Sequence, residues 1–159
     1  MEPTRFVTDA MLGSLARKLR VFGFDTAYFR RGSDSELLEI ARTEGRVLLT
    51  SDRALAEASA RTGVVSILIH GSDEGARIRS MEDGLRRASL TLEAGPTRCA
   101  LCNLPLLTLR RSDVRSELPD AIARRHRVYY RCPGCHKLYW KGSHWKRLRT
   151  LSSLLDGGQ

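Results

Sequence analysis

The apolar positions of the N-terminal part of the chain switch repeatedly between contiguous runs and spacings of three and four, the mark of strands alternating with helices. Arg5-Phe6-Val7-Thr8 is a short β-type run, after which Met11, Leu12, Leu15, Leu19 and Phe22 recur on one helical face as far as Gly23, a residue suited to the turn past a helix end. A second strand is expected around residues 26–29. Ser33 and Glu36 then form a capping box ahead of Leu37, Ile40 and Ala41, placing a second helix that ends near Gly45. Val47-Leu48-Leu49-Thr50 has the length and flanks of a buried parallel strand, and Ser51-Asp52 leads into a helix over residues 54–60. Residues 64–69 read as a further strand, and Ile78, Met81, Leu85 and Leu92 as one face of a longer helix. This alternation predicts an α/β fold with a doubly wound, mainly parallel sheet. Ala94-Gly95-Pro96-Thr97 reads as a linker, so that residues 1–93 form one domain and residues 98–150 a second, with 151–159 a flexible tail.

The first chemistry follows from that topology. In open parallel sheets, ligands bind beyond the carboxyl ends of the strands, where the strand order reverses. Asp9 and Asp52 both fall at such ends. Either aspartate alone is explained as a helix N-cap, which stabilises by about 1 kcal/mol without any function. Two that converge without a basic partner repel each other unless a divalent cation neutralises them, and Mg²⁺ or Mn²⁺ held by carboxylates most often serves a phosphate ester. Asp34, Glu36, Glu39, Asp73 and Glu74 are weaker additions, since the capping box already explains Glu36 and an exposed helical face explains Glu39.

The second half of the chain has a different character. All four cysteines lie there, in two Cys-x-x-Cys pairs, Cys99-Ala-Leu-Cys102 and Cys132-Pro-Gly-Cys135. Two tight knuckles, each delivering two thiolates, match a tetrahedral Zn²⁺ site, and four thiolates leave no open position for a catalytic water. His136 and His144 are therefore surplus to the tetrahedron. Redox pairs would open helices after strands, and disulfides would need an oxidising compartment. The N-terminus has no basic segment leading to an apolar core, and no run approaches the roughly 20 apolar residues of a membrane span, so a soluble, cytoplasmic protein is expected.

Charge divides the chain at the same place. Residues 1–97 carry 14 Lys+Arg against 14 Asp+Glu, whereas residues 98–159 carry 13 against 4, which is the whole net charge of +9. A basic module beside a neutral one points to a polyanion, and the interleaving of Arg124, Arg125, Arg127, Tyr130, Arg131, Lys141, Trp145 and Lys146 suits single-stranded RNA, with bases on rings and phosphates on cations. Aromatic rings in so small a module also serve to cover the metal site. A dinucleotide-binding reading lacks any Gly-x-Gly-x-x-Gly after the first strand.

Asp9-Ala-Met-Leu-Gly-Ser-Leu-Ala-Arg-Lys-Leu-Arg-Val-Phe-Gly-Phe-Asp25, Leu48-Leu49-Thr50-Ser51-Asp52, Thr97-Arg98-Cys99-Ala-Leu-Cys102-Asn103 and Cys132-Pro-Gly-Cys135 with Tyr139-Trp140-Lys-Gly142-Ser143-His144-Trp145 together resemble the Mut-seven C-terminal family. The resemblance covers nearly the whole chain. It implies a PIN-like metal-dependent ribonuclease domain with a zinc ribbon appended, Asp9 and Asp52 as core ligands of Mg²⁺ or Mn²⁺, and Asp34, Glu36 or Asp73 as sources of further acids. On this reading the protein is an endoribonuclease. Arg17 and Arg20, one turn apart on the first helix, are placed to meet a phosphate; some PIN nucleases are restrained by a protein inhibitor, and the sequence leaves open whether this one has such a partner. An acidic set reduced to two would instead leave a non-catalytic RNA-binding or ribosome-associated adaptor.

Overall fold

A computed structural model of the chain describes residues 3–150, so the expected tail over 151–159 lies outside the described residues. Four strands, β1 (Phe6–Thr8), β2 (Thr26–Tyr28), β3 (Val47–Thr50) and β4 (Ser66–Leu68), form a wholly parallel sheet in the order β2-β1-β3-β4. Consecutive residues of a strand point to opposite faces. Phe6 and Leu49 accordingly join one core with α1 (Gly13–Val21) and α4 (Glu74–Arg87), while Val7 and Leu48 join another with α2 (Asp34–Thr43) and α3 (Arg53–Arg61). The sheet is thus sandwiched between two pairs of helices.

Local chemistry sets each helix start. Asp9 caps a 3₁₀ turn at Ala10–Leu12 that leads into α1, Ser33 and Glu36 close the expected capping box on α2, and Asp52 and Asp73 cap α3 and α4. The helix expected to run toward Leu92 ends at Arg87, and Leu92 reaches the core from the following segment. From β1 the chain moves to β2 on one side, then crosses back past β1 to reach β3 on the other. The order therefore reverses between β1 and β3, and in open parallel sheets ligands bind beyond the carboxyl ends of strands at such a point.

A second, antiparallel sheet follows: β5 (Leu107–Arg110), β6 (Val128–Arg131) and β7 (Leu138–Tyr139). Val114, Leu118, Ala123 and Tyr129 form its small core beneath α5 (Arg111–Val114) and α6 (Asp120–Arg125). The chain then returns to the first unit. In α7 (Ser143–Arg149), Leu148 is buried in the α1/α4 core and the Trp145 ring meets Phe22 edge-on at 6.4 Å.

The stretch expected as a linker is packed against α1. Gly23 has φ +95°, and a Cβ there would lie 2.1 Å from the Gly95 carbonyl oxygen, so glycine is required twice over, by backbone conformation and by space. Asn103, at φ 63°, ties the first cysteine knuckle to the edge of the sheet: its Oδ1 accepts from Thr26 N at 3.1 Å, and its Nδ2 donates to Asp25 Oδ1 at 2.8 Å. Arg46 donates to the same Asp25 oxygen at 2.8 Å. No helix among the described residues is long and apolar enough to cross a membrane.

Candidate active site and nucleic-acid interface

Asp9 is 8% exposed at the end of β1, and Asp52 is exposed two residues beyond β3. Asp9 Oδ1 accepts from Met11 N, and Asp52 Oδ1 accepts from Ala54 N and Leu55 N, each the ordinary work of an N-cap. One hydroxyl joins them. Thr50 Oγ1 donates to Asp9 Oδ2 at 2.5 Å and accepts from Asp52 N at 2.9 Å. Neither carboxylate forms an ion pair among the described residues, and Asp52 Oδ2 remains open. Two carboxylates joined through one hydroxyl at neighbouring strand ends, neither with a cationic partner among the described residues, fit a hard divalent cation, since Mg²⁺ keeps several waters and commonly takes only one or two protein carboxylates.

The other acids stand apart. Asp34 is exposed at the first turn of α2, and Glu36 Oε2 is occupied by Ser33 N at 2.6 Å. Asp73 Oδ1 is occupied by Ala76 N. Among the described residues, no third carboxylate gathers with Asp9 and Asp52 into a cluster; the one group of three or more potential metal-binding side chains is formed by the cysteines.

Those four sulfurs lie within 4.8 Å of one another. Cys99 and Cys135 Sγ are 3.7 Å apart, close to the edge of about 3.8 Å that a tetrahedron with Zn–S bonds near 2.3 Å requires. Backbone N–H groups of Cys102, Gly134 and Cys135 point at Cys99 and Cys132 sulfur, and the Tyr139 hydroxyl lies 3.2 Å from Cys99 Sγ. Burial opposes ionisation of Cys99, but the Tyr139 hydroxyl and the amides of Cys102 and Leu101 outweigh it and bring the thiol down to about 7. The hydrogen bond with Cys135, together with burial and the neighbouring sulfurs, pushes Cys102 up to about 12. Four thiolates this close repel one another, which is the electrostatic problem a tetrahedral dication such as zinc solves.

Arg20 belongs to this region and not to a phosphate site. It is 6% exposed, with Nε on the Thr26 carbonyl at 2.8 Å and Nη1 on the Ala100 and Leu101 carbonyls at 2.8 and 3.0 Å. Burial lowers its pKa, while the charges of Cys99 and Cys102 act to raise it. The expected phosphate contact is thus replaced by a clamp between the sheet edge and the first knuckle, because residues 98–101 fold back over that face of α1.

Arg17, one turn earlier, is exposed and lines a cleft of about 410 Å³ between α1, the knuckles and α7. Tyr130, Lys141, His144 and Trp145 form the opposite wall, and Ser14 and Glu74 its near rim. The Glu74 carboxylate is held below the usual range by Lys18, with which it pairs. Lys141 Nζ sits 5.6 Å from the Tyr130 ring centre and 5.0 Å from that of Trp145, so these rings already hold a cation. Arg125 and Lys146 line a neighbouring hollow that shares Trp140 and Lys141 with the cleft. Arg131 is paired with Glu117 at 2.6 Å.

A model of the Mut7-C RNAse domain matches residues 4–152. The chain belongs to that family. An exonuclease mut-7 homolog of Homo sapiens is 26% identical over 220 residues, a match covering 92% of this chain and 25% of the relative. The chain thus spans about a quarter of that relative's length. No solved structure matches.

Two parts of the site escaped the sequence. Thr50 closes a buried strand of apolar residues and looks like a β-former; only the register of β3 against β1, which sets Thr50 beside the end of β1, makes it a neighbour of Asp9. Lys18 and Glu74 lie 56 positions apart in sequence and meet only because α1 and α4 pack on one face.

Proposed function

We propose that this chain is a metal-dependent endoribonuclease with a PIN-like catalytic unit and an RNA-binding zinc ribbon. The observation that carries the reading is the Asp9–Thr50–Asp52 connection at the sheet end where the strand order reverses. Membership of an RNAse domain family supports a nuclease acting on RNA, and the exonuclease name of the human relative supports nuclease activity without favouring cleavage inside the strand.

Asp9 and Asp52 would hold Mg²⁺ or Mn²⁺, which when bound supplies a deprotonated water and charge stabilisation at a phosphodiester. Thr50 holds Asp9 Oδ2 through its proton and so fixes the direction of the carboxylate. The caps on Met11, Ala54 and Leu55 N–H hold the remaining oxygens, leaving Asp52 Oδ2 for a ligand. Arg17 offers forked donors to a phosphate, while Tyr130 and Trp145 offer faces to bases. Cys99, Cys102, Cys132 and Cys135 would hold a structural zinc that fixes β6 and β7, and with them the cleft wall.

The absence of a third clustered carboxylate among the described residues favours a second reading, an RNA-binding adaptor without catalysis. Incubation of a circular RNA, and in parallel its linear form, with wild type and with Asp9→Asn, with Mn²⁺ or Mg²⁺ added, decides between them. Metal-dependent opening of the circle by wild type alone supports the endonuclease. Binding with no opening supports the adaptor, and degradation of linear but not circular RNA supports an exonuclease.

A further inference from the structure

At the end of the β5–β6 hairpin remote from the cysteines, Arg110, Arg111, Arg115 and Arg127 surround a single hollow of about 450 Å³ together with Ser112. All four arginines are exposed. Two are partly committed: Arg111 Nη1 donates to the Ala123 carbonyl at 3.0 Å, and Arg115 pairs with Asp120 at 2.6 Å. Asp113, adjacent to Ser112 in sequence, takes the Arg110 backbone N–H, not its guanidinium. The Arg110 and Arg127 guanidinium groups have no acceptor among the described residues. Four like charges around one hollow, incompletely balanced, match a ligand that brings several acceptor oxygens and more than one negative charge.

The geometry points to a second phosphate-binding station at this hollow, taking backbone phosphates of the RNA strand that leaves the cleft. The inference rests on the cleft being the RNA site. A path joins the two. The cleft shares Trp140 and Lys141 with the hollow of Arg125 and Lys146, and Arg127 follows Arg125 by two positions. Tyr130 in β6 lines the cleft and Arg127, just before β6, lines the station. They are three residues apart, about 10 Å of extended chain, and on opposite faces of it, so the RNA passes from one to the other by way of the Arg125 and Lys146 hollow. A strand held at both places is fixed in direction as well as position.

The test is equilibrium binding of polyuridylate to the full-length protein across a salt series, without added divalent ions. Each phosphate contact to a single strand contributes about 0.7 to the slope of log affinity against log salt, so Arg110→Ala with Arg127→Ala lowers the slope by about 1.4. Between 50 and 200 mM salt the wild type then loses about sevenfold more affinity than the variant. Ser112→Glu, which adds an anion to the hollow, weakens binding too, and Arg110→Lys with Arg127→Lys keeps the wild-type slope. Unchanged slopes in both the alanine and glutamate variants overturn the proposal. So does displacement of RNA by millimolar inorganic phosphate to the level of the alanine variant, which marks a small-anion site. Weakening in that variant with none in Arg17→Ala overturns the cleft reading instead, which separates the two failures.

Discussion

Thr50 Oγ1 donates its proton to Asp9 and accepts one from the backbone of Asp52, so a single hydroxyl orients both candidate metal ligands. The parallel register makes this possible: Thr8 lies opposite Leu49, which brings the next residue of each strand, Asp9 and Thr50, side by side. A side chain that fixes a ligand from behind governs both metal affinity and the angle of the carboxylate.

Thr50→Val keeps the shape of the side chain and removes the hydroxyl. Metal-dependent RNA cleavage is expected to fall by about 10- to 100-fold, with the metal concentration for half-maximal rate raised, while Thr50→Ser retains most of the activity. Titration of Mn²⁺ against initial rate checks this; a Thr50→Val enzyme with the wild-type metal dependence would remove Thr50 from the site.

Arg17 and Arg20 should separate cleanly despite their proximity on α1. Arg17→Ala is expected to weaken RNA binding and lower its salt slope by about 0.7 without changing the denaturation midpoint. Arg20→Ala leaves the Thr26, Ala100 and Leu101 carbonyls without their donor and should destabilise by about 1.5–3 kcal/mol. Urea denaturation and the binding series, run on both variants, give opposite patterns.

Asp25 links acid stability to the joint between the two units. Burial acts to raise its pKa, but hydrogen bonds from Arg46 and Asn103 outweigh burial and hold it below the ordinary value. A depressed carboxylate stabilises the fold above its unfolded pKa of about 4, and that contribution is lost as pH falls through the folded value. Asp25→Ala is therefore expected to destabilise by about 1.5–3 kcal/mol at neutral pH, with the gap to wild type closing below about pH 4. Denaturation midpoints of both proteins across that range test the sign.

With zinc in the cysteine cluster as proposed, its removal should unfold the second sheet before the first. Structural zinc in small modules contributes on the order of 10 kcal/mol, and the core of Val114, Leu118, Ala123 and Tyr129 is too small to replace it. A strong chelator, or Cys132→Ala, is expected to expose Tyr129 and reduce RNA binding. Hydrogen exchange should then rise over residues 98–140 while β1 and β3 stay protected.

Much of this was legible in the chain. The strand expected at residues 47–50 is β3 without adjustment, and the capping box of Ser33 and Glu36 forms as read, because both depend on nearest neighbours in sequence. The cysteine knuckles are equally local, two sulfurs to a turn. The same locality misled for Arg20: its place one turn after Arg17 suggested a shared phosphate, and nothing nearby in sequence announced that residues 97–101 would fold across it.

The sequence by itself determined the alternation of strands and helices, the helix caps and the clustering of charge and cysteine in the second half, since each follows from periodicity, side-chain hydrogen bonding or composition over a few residues. Tertiary structure alone decided that Thr50 lies between Asp9 and Asp52, that α7 returns Leu148 to the first core, and that four arginines share one hollow. Those relationships arise from strand order and from the burial of faces against distant partners, and hydrophobic burial specifies that a face be covered without naming the segment that covers it.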